Sequence, residues 1–169
     1  YNELSKEMSS ASRASSHNNI AWNMAENDEN IEEAKKMAVY ATAWAKNEMT
    51  NPTEKKPDAT TTKQWEQQRK FSYAMFGDTY AFILYKLGDY KTGFPIAKEA
   101  ATINKLKDAE YNERYALLAE KALPGAEAKQ LLEQFVKEGT ATGKTKEALK
   151  NLYTKEKKTA AGYDEYLAT

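Results

Sequence analysis

The chain has 169 residues, a length that suits one domain large enough to close its own core. Its 25 basic and 25 acidic residues cancel, and only Arg13, Arg69 and Arg114 are arginines, so the sequence predicts no nucleic-acid binding. The lack of cysteine excludes disulfides and zinc–thiolate sites, and no apolar run approaches the roughly 20 residues of a membrane span.

The composition favours an all-α fold. Alanine accounts for 26 of the 69 hydrophobic residues, against two Val and five Ile. Alanine is the best helix former, whereas β-branched residues are the ones enriched in strands. The chain has 12 Leu and 5 Phe against 11 Tyr and 3 Trp. Because many of its large side chains carry a polar atom, we expect a thin core, with Tyr and Trp rings packed at the contacts between helices.

The first clear helix is predicted from Ser15 to about Glu26. Residues 2–14 before it are serine-rich and weakly periodic, so they predict a helix tail or a loose lead-in. After Ser15, residues recur at i, i+3, i+4 and i+7, which is the spacing of one helix face. That face consists of His17, Ile20, Ala21 and Met24.

A second helix is predicted from about residue 31 to Met49. Asn30 followed by Glu33 predicts a capping box at its start, after the polar turn 27–29. The next segment, 50–62, carries two prolines and almost no apolar residue, which is typical of a surface loop. The packed stripe of the second helix consists of small residues: Ala34, Ala38, Ala41 and Ala45.

The third predicted helix, from about Lys63 to Leu87, is long and aromatic. Thr61 with Gln64 supplies its start, and Gly88-Asp89 supplies its end. Its rings belong to Trp65, Phe71, Tyr73, Phe76, Tyr80, Phe82 and Tyr85.

Five shorter helices complete the prediction. The fourth spans about 90–106, where Pro95 is tolerable only near the first turn. Asp108 caps a fifth helix that runs to Leu123, and Pro124-Gly125 forces a turn. The last three helices span about 126–138, 144–157 and 161–168.

Residues 18–26, NNIAWNMAE, and 78–90, DTYAFILYKLGDY, resemble the first helices of tetratricopeptide repeats. The matching positions are His17, Ile20-Ala21 and Met24 with Ala34 and Ala38, and again Gly77, Tyr80-Ala81 and Leu84 with Gly93 and Ala97. The two copies are offset by 60 residues rather than the family's roughly 34. Small residues allow close helix crossing, so we expect Ala21 to face Ala34 and Ala81 to face Gly93.

The resemblance implies antiparallel helix pairs stacked as a degenerate tetratricopeptide-like right-handed array. We expect a single helical-repeat domain over 1–169. Its parts are a first pair at 15–49, a second pair at 63–106, a third hairpin at 108–138 and C-terminal helices at 144–169.

A second resemblance concerns residues 111–167. With ALPGAEAKQLLEQFVKEG and KEALKNLYTKEKKTAAGYDEYLA, this run is similar to the helical region that precedes a thioredoxin-like domain in secreted or periplasmic bacterial proteins. The resemblance implies a periplasmic or cell-envelope location and a redox domain that begins shortly after Thr169. Any oxidoreductase activity would then belong to that neighbouring domain.

No motif predicts catalysis, a cofactor or a metal site. The run GTATGKT at 139–145 has three residues between its glycines where a phosphate loop needs four, so we interpret it as a turn between helices. His17 is the only histidine, and we expect it to pack against the partner helix. The acidic alternation at 28–32 is followed by Glu33 where a calcium loop requires glycine, which predicts a polar turn.

The predicted binding site is the concave face that first helices form in tetratricopeptide arrays. Its partner would be a protein or the chain's own neighbouring domain; the oligomeric state stays open. One alternative is that Trp22 and Phe82 simply pack between helix pairs. Another is a glycan-binding module, as in outer-membrane nutrient-capture lipoproteins with similar helices. The candidate residues are Asn18, Trp22, Glu26, Asp78, Phe82, Tyr85 and Lys86.

Overall fold

The computed structural model describes residues 8–169, and this part of the chain is entirely helical, without a strand. The predicted all-α class is therefore confirmed. Eight helices follow one another in the described residues: α1 (Ser10–Glu26), α2 (Ile31–Thr50), α3 (Thr62–Lys86), α4 (Tyr90–Ile103), α5 (Ala109–Ala122), α6 (Gly125–Lys137), α7 (Gly143–Lys157) and α8 (Tyr163–Leu167).

The start of α1 lies earlier than the periodicity predicts. Ser9 caps the helix by accepting a hydrogen bond from the backbone N–H of Ser12 at 3.2 Å. The serine-rich segment thus contributes a cap and the first turns of α1, while its residues 2–7 lie outside the described part of the chain. Serine has only an intermediate helix propensity, but it is favoured at the N-cap. A serine-rich segment shows little apolar periodicity, so the sequence pattern predicts the start of α1 too late.

The capping box predicted at Asn30 is wrong. Asn30 is the N-cap of α2, but it has a left-handed backbone with φ of 40°, and its side chain makes no capping bond. The backbone carbonyl of Asn30 instead accepts from the N–H of Glu33 at 3.0 Å. By contrast, the capping box of Thr61 with Gln64 is confirmed, and Asp108 caps α5 as predicted.

Helix α4 departs from the prediction at two points. Pro95 is its sixth residue, beyond the first turn, where it removes one hydrogen bond to the carbonyl of Lys91 without ending the helix. The helix ends at Ile103 rather than near 106, because Lys105 and Leu106 adopt positive φ angles of 57° and 56°. At its other end, Gly88 with φ of 76° closes the corner after α3 as predicted.

Each helix from α1 to α5 packs against the next along the chain, and α6 packs against α5 and α7. In addition, α1 contacts α3, α3 contacts α5 and α5 contacts α7. The odd-numbered helices therefore form one continuous layer. We call the side of this layer that bears the predicted binding residues the first-helix face.

Small residues permit close packing at several of these contacts. The alanine stripe of α2 is fully buried, as predicted, and Ala21 shares a cluster with Ala34. The three atoms nearest to a Cβ added at Gly93 of α4 belong to Leu84 and Leu118, with Leu84 Cβ at 3.2 Å and Leu118 Cδ2 at 2.9 Å. Large, fully buried side chains of the C-terminal half include Leu118, Leu132, Phe135 and Leu149, and Ile83 and Leu84 of α3 are fully buried as well.

Candidate functional site

The structure gathers several predicted site residues around Arg114 of α5. Trp22 of α1 and Asp78 and Phe82 of α3 all contact its guanidinium, and Lys86 contacts the Phe82 ring. In the sequence, Arg114 is distinguished only as one of three arginines. As the sixth residue of α5, it gives no local sign that it meets side chains from two other helices.

The Arg114–Asp78 pair is mostly shielded from solvent, with 11% of the Arg114 side chain and 9% of the Asp78 side chain exposed. Asp78 Oδ2 accepts from Arg114 Nε at 3.2 Å and lies 3.1 Å from Nη2. A second carboxylate, on Glu113, places Oε1 3.7 Å from Arg114 Nη1. One arginine thus links α5 to α3 through charge-assisted hydrogen bonds.

Aromatic rings cover the same guanidinium. Arg114 Cζ lies 5.3 Å from the centre of the Trp22 ring and 5.9 Å from that of Phe82. The two rings are themselves 5.2 Å apart and both are half-buried. They form a cation–π cluster that joins α1, α3 and α5, so much of their surface is already in contact within the chain.

The electrostatics of this cluster are dominated by the burial of Asp78. Burial raises the pKa of Asp78 to about 7 from an ordinary value of 3.8, although the attraction of Arg114 opposes the shift. Burial, followed by the negative charge of Asp78, also raises the pKa of Tyr111 to about 12. A carboxyl that titrates near neutrality makes the cluster sensitive to pH.

The remaining predicted residues do not join the Arg114 cluster directly. Lys86 Nζ pairs with Asp28 Oδ1 at 2.6 Å and ties the α1–α2 turn to the end of α3. Tyr85 packs on Tyr90 with ring centres 5.8 Å apart. Asn18 is buried, whereas Glu26 is exposed on α1.

A groove of about 390 Å³ opens on the first-helix face between α3, α5 and α7. Its apolar lining includes Phe82, Leu117 and Ala148, and of the seven predicted residues it contains Phe82 and Tyr85. We call it the first-helix groove. Its charged and polar lining consists of Glu113, Glu120, Lys121, Lys144, Glu147 and Asn151.

One residue of the glycine-rich segment 139–145, Lys144, lines this groove. Thr142 caps α7 by accepting from the Thr145 N–H at 3.3 Å, and its hydroxyl donates to Glu113 Oε2. Lys144 Nζ lies 3.5 Å from Glu113 Oε1. Residues 139–142 lie in the turn between α6 and α7, as predicted, whereas 143–145 begin α7, and Lys144 pairs with a carboxylate of the chain.

His17 also takes a position between helices. Its ring centre lies 4.7 Å from that of Tyr40 on α2, and its Nδ1 donates to the Arg13 carbonyl at 2.8 Å. Across residues 8–169, no cluster of three or more His, Cys, Asp or Glu side chains is arranged to hold a metal ion. In the same range, no helix combines the length and apolarity needed to cross a membrane.

Comparison of the chain with protein-family models, with curated proteins and with solved structures returned no match.

Proposed function

We propose that the chain is a non-catalytic protein-interaction or spacer module of a larger bacterial envelope protein, adjoining a thioredoxin-like domain. The observation that carries the interaction proposal is the first-helix groove, which combines an apolar floor with charged side chains of both signs. Such a surface suits a short peptide segment or an element of a neighbouring domain, because apolar burial supplies affinity while charges set orientation.

The spacer role rests on the cross-links between odd-numbered helices. The Arg114 cluster joins α1, α3 and α5, and the Glu113 contacts to Thr142 and Lys144 join α5 to α7. A layer whose successive odd-numbered helices are linked by such contacts would be rigid, and it would hold a neighbouring domain at a defined distance. The tetratricopeptide-like stacking and its right-handed sense belong to this proposal.

The envelope and thioredoxin-like parts of the proposal rest on the resemblance of residues 111–167. Reading the coding sequence upstream of Tyr1 and beyond Thr169 tests them directly. A βαβ pattern with a CxxC motif shortly after Thr169 is the expected result. A stop codon or an unrelated domain would contradict the proposed thioredoxin-like neighbour. The first-helix groove would then be the only support for the interaction role.

The groove is tested by selecting a random peptide library against the purified chain. Asn151→Trp places a bulky ring in the groove, while Lys146→Trp adds the same ring at an exposed position of α7 that does not line it. Enriched peptides should bind the parent and Lys146→Trp equally and bind Asn151→Trp at least about tenfold more weakly. Equal binding to both variants, or no enrichment at all, would contradict the proposed groove.

A second candidate function is a ligand-binding helical module of the glycan-capturing kind. The first-helix face does not favour glycan binding, because the rings of Trp22 and Phe82 already contact Arg114 and each other. What favours it is a separate cavity between α1, α2 and α3, which is lined by the other two tryptophans, Trp44 and Trp65.

A further inference from the structure

The cavity between α1, α2 and α3 encloses about 240 Å³ and is bordered by the loop 51–61. We call it the Trp44 cavity. Two indole rings, one guanidinium and two carboxylates meet there, on a face of the molecule that the predicted binding residues do not reach. These groups belong to Trp44, Trp65, Arg69, Glu48 and Glu54.

Donors without acceptors lie around this cavity. Trp44 Nε1 and Arg69 Nε and Nη1 are shielded from solvent, and none of these three atoms has a hydrogen-bond partner within residues 8–169. A buried donor without an acceptor is unfavourable, and native proteins contain few of them. Both residues line the cavity, so a ligand that brings acceptor oxygens would satisfy these donors once the two side chains turn toward it.

The charges around the cavity argue for a neutral ligand. Arg69 contributes one positive charge, while Glu48 and Glu54 contribute two negative charges, so an ion of either sign meets a like charge in the cavity. Glu48, only 2% exposed, already accepts from the Thr53 N–H at 2.9 Å and the Glu54 N–H at 3.4 Å. Glu54 and Gln68 are left to accept hydrogen bonds from a ligand.

The shape of the cavity argues for a compact ring. The guanidinium of Arg69 lies 5.1 Å from the centre of the Trp65 ring, which helps to hold both side chains in place. Trp44 and Phe76 add flat apolar surface, and Met75 is 47% exposed beside them. The volume is below the roughly 300–1,000 Å³ of clefts that take drug-sized molecules, so one ring fits better than a chain.

We infer that the Trp44 cavity binds a single sugar ring of a neutral glycan, with its apolar face on the indoles and its hydroxyls bonded to Trp44, Arg69 and Glu54. A sugar carries donors and acceptors on every hydroxyl and no charge, which matches the groups available. This inference rests on the second proposed function, ligand binding, and is independent of the first-helix groove.

The test is a titration of the purified chain, followed by tryptophan fluorescence, with the methyl glycosides of glucose, galactose, mannose and N-acetylglucosamine. Sodium sulfate and sodium acetate serve as anion probes. We expect at least one glycoside to give a saturable change below about 50 mM. Arg69→Gln should weaken that binding at least about tenfold, whereas Lys70→Gln, at the exposed neighbouring position of α3, should not change it.

A second variant guards against loss of folding in Arg69→Gln. Ser15 is exposed at the α1 side of the cavity, so Ser15→Leu should narrow the opening, keep the helical circular dichroism signal and weaken binding by a similar factor. If a glycoside binds both variants as tightly as it binds the parent chain, the Trp44 cavity is not the binding site, but the second proposed function, ligand binding, is kept. If no glycoside changes the tryptophan fluorescence, both the sugar site and the ligand-binding function are contradicted. A response to sulfate or acetate alone contradicts the inference that the ligand is a neutral ring.

Discussion

At the scale of single residues, Arg114 decides the character of the candidate site. It is one of three arginines in the chain, and its guanidinium contacts Asp78, Trp22 and Phe82 from two other helices. A lysine would supply the charge but neither the planar stacking nor the forked donors, so the identity of the residue matters as well as its sign.

Replacement of Arg114 by Met removes the charge while it keeps much of the bulk. Asp78 and Glu113 then lose their guanidinium partner in a shielded site, and we expect the free energy of unfolding at pH 8 to fall by about 2–4 kcal/mol. Urea denaturation measures this. Lys107→Met is the control: its ion pair with Glu138 at 3.6 Å is largely exposed, so it should change stability by less than about 0.5 kcal/mol.

Asp78 should make stability depend on pH in a defined direction. The unfolded carboxyl loses its proton near its ordinary pKa of 3.8, whereas the folded one keeps it up to about 7, so the folded state binds more protons between these values. The contribution of Asp78 is therefore fully present below pH 3.8 and is lost as the pH rises through 7.

The measurement is the difference in unfolding free energy between the parent chain and Asp78→Asn from pH 4 to pH 8. This difference should shift against the parent as pH rises, by at most about 1.4 kcal/mol per pH unit, and level off above pH 7. A difference that does not change with pH would show that the pKa of Asp78 is not raised.

At the scale of helices, the crossing of α4 with α3 and α5 depends on Gly93. The crossing of α4 with α3 and α5 leaves no room for a Cβ at this position, because Leu84 Cβ and Leu118 Cδ2 lie within 3.2 Å of its place. The sequence predicts a close crossing at Gly93 opposite Ala81, and the three atoms nearest to the added Cβ belong to Leu84 and Leu118.

Gly93→Ala should therefore destabilise the fold, although alanine is the better helix former. We expect a net loss of about 1–2 kcal/mol, since overpacking outweighs the gain in helix propensity of about 1 kcal/mol. Gly125→Ala is the matched control, because nothing lies within 4 Å of a Cβ added there. Thermal unfolding of both variants distinguishes them: the control should not lose stability.

At the scale of the whole molecule, Trp22 couples the first helix to the rest of the layer. Its ring contacts Phe82 of α3 and Arg114 of α5, and thus spans three helices. A ring in this position contributes to folding whether or not a partner also touches it. The position of Trp22 therefore links the stability of the helical layer to the surface that is proposed to bind a partner.

Trp22→Ala should lower the free energy of unfolding by about 1–3 kcal/mol through lost burial and cation–π contact. Hydrogen exchange should also rise more in α1 than in α7, because the α1 contacts are the ones removed. Glu26→Ala, at an exposed position of the same helix, is the control. An unchanged stability in Trp22→Ala would show that the ring is available for a partner at no structural cost.

Local patterns in the sequence were sufficient for the helices and several of their ends. The burial of the alanine stripe of α2, the Thr61–Gln64 capping box, the Asp108 cap and the Gly88 corner each follow from a few neighbouring residues. These features depend on helix periodicity, local hydrogen bonds and backbone sterics, which act over three to five residues.

The tertiary structure alone decided what the side chains of those helices meet. The Arg114–Asp78 pair joins residues 36 apart in the chain, and the Trp44 cavity combines three helices and a loop. The raised pKa of Asp78 likewise comes from burial between helices. Periodicity fixes which residues share a face of one helix, but the partners and the burial of that face depend on how the helices pack together.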